Sequence, residues 1–164
     1  MKTPALYLRT IIFGVIDSLV STVGLLAGID IAGTPHATIA LTGIIYAFVE
    51  AFSMAVGNFL SEESAEEFVA KGEVSGRNAL GAGAMMFIVF VLAAFIPIIP
   101  YLIFTNWFAL AGSIILSVTA LFIVGIISGR VARLPMLSRG IRMALLGGAA
   151  IILGVVIGSI VPVD

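Results

Sequence analysis

Two acidic side chains stand where a charge is most costly. Asp17 lies in FGVIDSLVSTVG, residues 13–24, and Glu50 lies in YAFVEAFSMAVG, residues 46–57. A carboxylate taken out of water loses several kcal/mol of hydration unless something charged or hydrogen-bonding replaces it. An ionisable residue inside a long apolar run is therefore a candidate functional group. Met54 follows Glu50 by one helical turn, with Ser53 and Asn58 beside it, and Met85 and Met86 open the third apolar run. Carboxylate oxygens combined with thioether sulfur suit a first-row divalent cation such as Fe2+ or Mn2+. The same carboxylates can hold protons when no metal is present. The plainer alternative is a protonated acid that hydrogen-bonds a backbone carbonyl or a serine and does nothing more.

The spacing around both acids is helical. Thr10, Gly14, Asp17, Ser21, Gly24 and Gly28 succeed one another at steps of 4, 3, 4, 3 and 4, and so do Gly43, Ala47, Glu50, Met54, Gly57 and Ser61. Such steps place each set on one seam of a helix. Every member of the first seam is small or polar, while the opposite face is Ile, Leu and Val. Small residues let a neighbouring helix come close, and polar ones bond across the gap. Asp17 should accordingly face protein or a water-filled cavity, about 10–12 Å below the start of its span at 1.5 Å per residue. The glycines of both seams are expected to serve packing.

These seams need apolar elements long enough to carry them. Hydrophobic residues make up 61% of the 164-residue chain and charged ones 10%, against roughly 25% charged in a soluble domain. So much apolar side chain cannot be hidden in one core of this size, and the remaining solvent is lipid. Five runs reach the roughly 20 residues a helix needs to cross a bilayer, at about 9–29, 37–60, 79–100, 106–128 and 140–161. Strand-type alternation is missing, so the expected fold is all-α, a polytopic membrane protein with five transmembrane helices. It forms a single transmembrane domain over residues 1–164, joined by an acidic loop at 61–78. Lys2, Arg9, Lys71, Arg77, Arg130, Arg133, Arg139 and Arg142 account for all eight bases, and every one falls at the same side of the five spans. The positive-inside rule then puts the N-terminus in the cytoplasm and the C-terminus, with Asp164, outside. Tyr101 and Trp107 fall at the outer ends of spans three and four, where an aromatic belt belongs. Asp17 interrupts the first run, so the N-terminus does not read as a cleaved signal. The absence of Cys removes thiolate metal sites, disulfides and thiol catalysis, and no basic patch with interleaved aromatics suggests nucleic acid.

Beyond the second span, SEESAEEFVAKGE sets Glu62, Glu63, Glu66, Glu67 and Glu73 close together. Clustered carboxylates can gather divalent cations at a pore mouth. Alternatively Ser64 and Glu67 form a capping box at the start of a solvated helix. His36 follows Pro35 and should open the second span, with Asp30 in the same outer loop. Pro97 and Pro100 should end or kink the third. No nucleophile–base pair is visible, so an enzyme is not expected.

FGVIDSLVSTVGLLAG is similar to the first-span signature of the vacuolar iron transporter family, an aspartate followed by a Gly- and Leu-rich run. EAFSMAVGNFLSEESAEE resembles its second span, a Ser-Met-Ala motif before an acidic segment, and SRGIRMALLGGAAIILGVVIGSIV resembles its fifth. The resemblance covers nearly the whole chain. It implies a homodimer that exchanges Fe2+, and often Mn2+, for protons along a pathway at the dimer interface. It further implies Asp17 as the first-span acid, Met54 as the second-span methionine, and Met85 or Met86 as a third-span methionine. Ser18 stands in place of the family's usual glycine, and Asn58 where many members carry Glu. The cytoplasmic insertion of the longer members is cut to the short stretch 61–78, making this a short form. Glu50, where many members have a small residue, is expected to offset the acid missing at Asn58.

The expected function is a divalent cation transporter of a prokaryotic cytoplasmic membrane, coupled to protons and carrying Fe2+ or Mn2+ out of the cytoplasm. Its partners would be lipid, the metal ion, protons and a second copy of the chain. No permanent cofactor is expected, since the metal is cargo. The competing expectation is a non-transporting membrane scaffold or metal-responsive interaction protein.

Overall fold

A computed structural model describes residues 3–161, with side chains from residue 5 onward. Lys2 and Asp164, which enter the orientation argument, lie outside the described residues. Five helices follow in chain order: α1 Thr3–Ile31, α2 His36–Ala70, α3 Arg77–Ile103, α4 Phe108–Val131 and α5 Met136–Ile160. All five are long and apolar enough to cross a membrane, and no strand occurs among the described residues. The chain is an integral membrane protein.

The helices outrun the apolar segments. α2 continues through residues 61–70, because Ser, Glu and Ala sustain a helix after hydropathy has fallen away. The expected acidic loop is thus mostly helical, and the connection itself is the six residues 71–76. Lys71, at φ 54°, closes α2 in the left-handed conformation, donating its N–H to the Glu67 carbonyl. Gly76, at φ 61°, opens α3. Ser64 is interior to α2, so no capping box forms with Glu67. α3 likewise runs through Pro97 and Pro100 to Ile103. Each proline removes one backbone donor, but both rings are buried among neighbouring helices. α1 begins before Arg9, which makes Asp17 the middle residue of its helix.

α1 is central. It packs against α3, α4 and α5 and touches α2 more lightly, while α2 lies along α3 and α4 along α5. Leu19, Val23, Leu26, Phe90 and Ile98 are fully enclosed among these helices. The α1–α5 crossing is built from glycine. A methyl group added at Gly24 would stand 3.1 Å from the Ala150 carbonyl oxygen, and one at Gly28 would stand 2.8 Å from that of Gly154. Gly154 and Gly158 return the contact against the Gly24 and Gly28 carbonyls. This is backbone-to-backbone packing of the small-residue type that drives helix association in lipid. The expected packing role of the glycine seam therefore holds at its C-terminal half. Ser18, in place of the family's glycine, donates a buried hydrogen bond of 2.7 Å to the Phe90 carbonyl and ties α1 to α3.

Tyr101 is not a belt residue. It is 3% exposed and its hydroxyl donates to Asp30 Oδ2 at 2.8 Å, because a phenol at a buried position needs a polar partner. Trp107 does lie exposed, packed on Phe108 with ring centroids 4.1 Å apart.

Candidate functional site

α1 and α2 run antiparallel, joined by the four-residue turn 32–35. Asp17 lies fourteen residues before the end of α1, and Glu50 fourteen residues after the start of α2. At 1.5 Å per residue both stand about 21 Å from the turn, at one depth. Both carboxylates are half-buried. Tyr46 stands one turn from Glu50 on the same face of α2 and is half-buried. Ser21 donates to the Asp17 backbone carbonyl at 2.6 Å. A polar layer thus crosses from α1 to α2 in mid-membrane.

Toward the basic end of the bundle, where Arg9 lies, the two helices part around a cavity of about 550 Å3. Thr10, Met54, Asn58 and Met86 line it, with Ser53 and Gly57 at its α2 wall. Two polar atoms in that lining, Thr10 Oγ1 and Asn58 Nδ2, are buried with no hydrogen-bond partner. Buried polar groups are ordinarily satisfied by protein or ordered water, so these two atoms stand out against a lining that is otherwise largely apolar. The methionine pair resolves here. Met86 is fully buried, its Sδ 2.9 Å from where a methyl at Gly14 would sit, and it lines the cavity. Met85 is only half-buried and outside that lining. The absence of a side chain at Gly14 is what lets the thioether reach α1.

The acids of the α2 extension are dispersed rather than gathered. Glu62 is 7% exposed and turned inward, where it pairs with Arg9 across the α1–α2 gap. Glu63 turns toward Gly76 at the start of α3. Glu66 accepts a hydrogen bond from Asn78 Nδ2 at 3.3 Å. Glu67 and Glu73 are exposed. Among the described residues no three of Asp, Glu and His come together in a group that could hold a metal. Residues 62, 63, 66 and 67 fan over about 140° of a helix with 3.6 residues per turn. At the opposite end, Tyr101 links Asp30 to His36, whose ring lies edge-on to it with centroids 5.8 Å apart. His36 does open α2, as its position after Pro35 implies.

The structure also picks out a pattern that the 4-3 seams hide. Thr38, Thr42, Tyr46, Glu50, Met54, Asn58, Glu62 and Glu66 stand at every fourth position of α2. From Thr42 to Glu66 each is at least partly buried, whereas Leu41, Ile45, Val49, Phe52, Val56 and Leu60 are exposed. On α1 the facing row is Arg9, Phe13, Asp17 and Ser21, again every fourth residue. Such rows are the inclined ridges by which helices pack. Here one ridge is polar along its length. From Tyr46 to Glu62 it covers about 24 Å at 1.5 Å per residue, most of a hydrocarbon core about 30 Å thick. Tyr46 and the Arg9 partner of Glu62 escaped the sequence reading, although the four-residue step was there to find them.

Five membrane-length helices with a polar row between α1 and α2 fit a membrane protein of the ion-transport class. A family model described as the VIT family matches residues 8–75 and 68–159. The chain belongs to that family, the vacuolar iron transporter family. The two matched stretches meet at the end of α2 and the turn after it. No curated protein matches the chain.

Proposed function

We propose that this chain exchanges a divalent metal ion, Fe2+ or Mn2+, for protons across a prokaryotic cytoplasmic membrane, exporting the metal. The observation that carries the reading is the cavity lined by Met54, Met86, Thr10 and Asn58, whose Phe13 and Met54 walls stand one helical turn from Asp17 and Glu50. An ion in that cavity would trade hydration water for Met54, Met86, Asn58 and Thr10, and then meet the two carboxylates. Two neighbouring carboxylates in apolar surroundings need a counter-charge. One divalent ion or protons can supply it in turn, which couples their movements. The exposed Glu67 and Glu73, with Glu63 and Glu66 behind them, raise the local concentration of cations at the basic end. Met85 takes no direct part.

The basic end faces the cytoplasm under the positive-inside rule, which places the N-terminus inside and the C-terminus outside. Asp17 and Glu50 are only half-buried in a single chain. A second copy laid against the α1–α2 face would complete their enclosure, so the working unit is a homodimer. The metal is cargo and no resident cofactor is required.

The test is Mn2+ and Fe2+ flux into proteoliposomes under an imposed pH gradient. The parent should transport and respond to the gradient. Asp17→Asn should lower flux on the order of a hundredfold, the loss of one charged ligand at about 2–3 kcal/mol. Parental flux in Asp17→Asn removes Asp17 from the pathway, and flux indifferent to the gradient removes the proton coupling.

A further inference from the structure

The Arg9–Glu62 pair occupies a particular place. The 550 Å3 cavity beside Met54 and Met86, one turn short of Asp17, ends at Arg9 and Ser61. A second cavity of about 380 Å3, reaching toward the end of α2 and lined by Glu62, Glu66 and Ala70, begins at the same Arg9 and Ser61. The ion pair stands between the two. Glu62 is 7% exposed, so its carboxylate has exchanged water for a guanidinium. A buried carboxylate that loses its partner is left uncompensated at a cost of several kcal/mol. It needs another cation in the partner's place. Arg9 has a 54% exposed side chain and can swing away without stranding its own charge.

We propose that Arg9 is a tethered counter-ion that closes the basic-end mouth of the pathway and makes its opening depend on a divalent cation. In the closed state Arg9 neutralises Glu62 and the two cavities are separate. A divalent cation arriving in the outer cavity brings twice the charge of the guanidinium to the same carboxylate. It displaces Arg9, and the cavities join. A monovalent cation brings no more charge than Arg9 already supplies and lacks the covalent tether, so it does not open the mouth. Glu62 becomes the first ligand of the incoming ion, and Arg9 the residue that sets its selectivity. This rests on the transport reading above, but its readout does not.

The chain has no cysteine, so a single reporter is clean. Thr10→Cys places a thiol in the inner cavity at a buried position, 1% exposed, and a membrane-impermeant thiol reagent is applied from the basic end in proteoliposomes. Labelling should be slow in the otherwise parental chain. Mn2+ should accelerate it at least tenfold, the equivalent of about 1.4 kcal/mol, and Na+ at matched ionic strength should not. Arg9→Gln with Glu62→Gln, a neutral pair that leaves no buried charge stranded, should label rapidly without Mn2+ and lose the response. The reciprocal exchange Arg9→Glu with Glu62→Arg should restore slow labelling. Labelling that stays slow in the neutral pair, or that answers Na+ as it answers Mn2+, overturns the proposal. Asp17→Asn separates the two ideas: it should lower flux about a hundredfold and keep the Mn2+-dependent labelling. Normal flux with labelling unchanged by the neutral pair sinks the latch alone.

Discussion

α1 presents two unlike faces. Toward α5 its glycines bring backbone against backbone, so that even a methyl group has no room at Gly24 or Gly28. Toward α2 the contact is light, a cavity of about 550 Å3 remains, and Gly57 has open space around it. The same residue type thus serves opposite ends. On the α5 side glycine removes volume so that two helices lock. At Gly57 it widens a space already present. Lipid offers no hydrophobic drive for helices to meet, so close packing on one face has to hold α1 steady while polar groups stand loosely spaced on the other.

One substitution applied to both faces shows the difference. Gly154→Ala drives a methyl into the Gly24 backbone, and overpacking of this kind costs about 1–3 kcal/mol. It should lower the thermal midpoint in detergent, whereas Gly57→Ala should leave it unchanged or raise it, since Ala favours helix by up to about 1 kcal/mol. Equal losses at the two positions would mean the faces are alike. A smaller effect is expected from Met54→Leu. Such volume-conserving exchanges cost under about 1.5 kcal/mol of stability, so the fold should persist while the loss of sulfur weakens the selection of Fe2+ and Mn2+ over Mg2+. Metal competition in the flux assay measures it. The smallest effect belongs to Glu67→Gln. Its side chain is exposed and acts through a field that salt screens within about 10 Å at 0.1 M. Its influence on apparent metal affinity should appear at low ionic strength and vanish at high.

How far each face could be read from sequence follows from its physics. The five spans were legible because an apolar run of membrane length leaves few alternatives. Asp17 and Glu50 could be matched because each sits on a seam of small residues. The helical extension 61–70 was obscured because hydropathy reports where lipid ends, not where hydrogen bonding ends. The polar ridge from Thr38 to Glu66 was hidden by reading the helix at a mean step of 3.5, which tracks a straight seam; a step of four tracks the inclined ridge that α1 follows. Met85 and Met86 could not be separated by spacing, since adjacent residues differ by about 100° around the helix and only the gap at Gly14 decides between them. Arg9 and Glu62 are far apart in sequence, and nothing local pairs them.

The turn at 71–76 has a practical consequence. It is short, mostly exposed and held between left-handed Lys71 and Gly76, and it joins two helices that lie side by side. Its ends are therefore close together. A folded domain with adjacent termini, such as a fluorescent reporter, can be spliced between Gly72 and Ser75 without moving α2 or α3. The six-residue turn is a ready graft point for a reporter held just beyond the ends of α2 and α3.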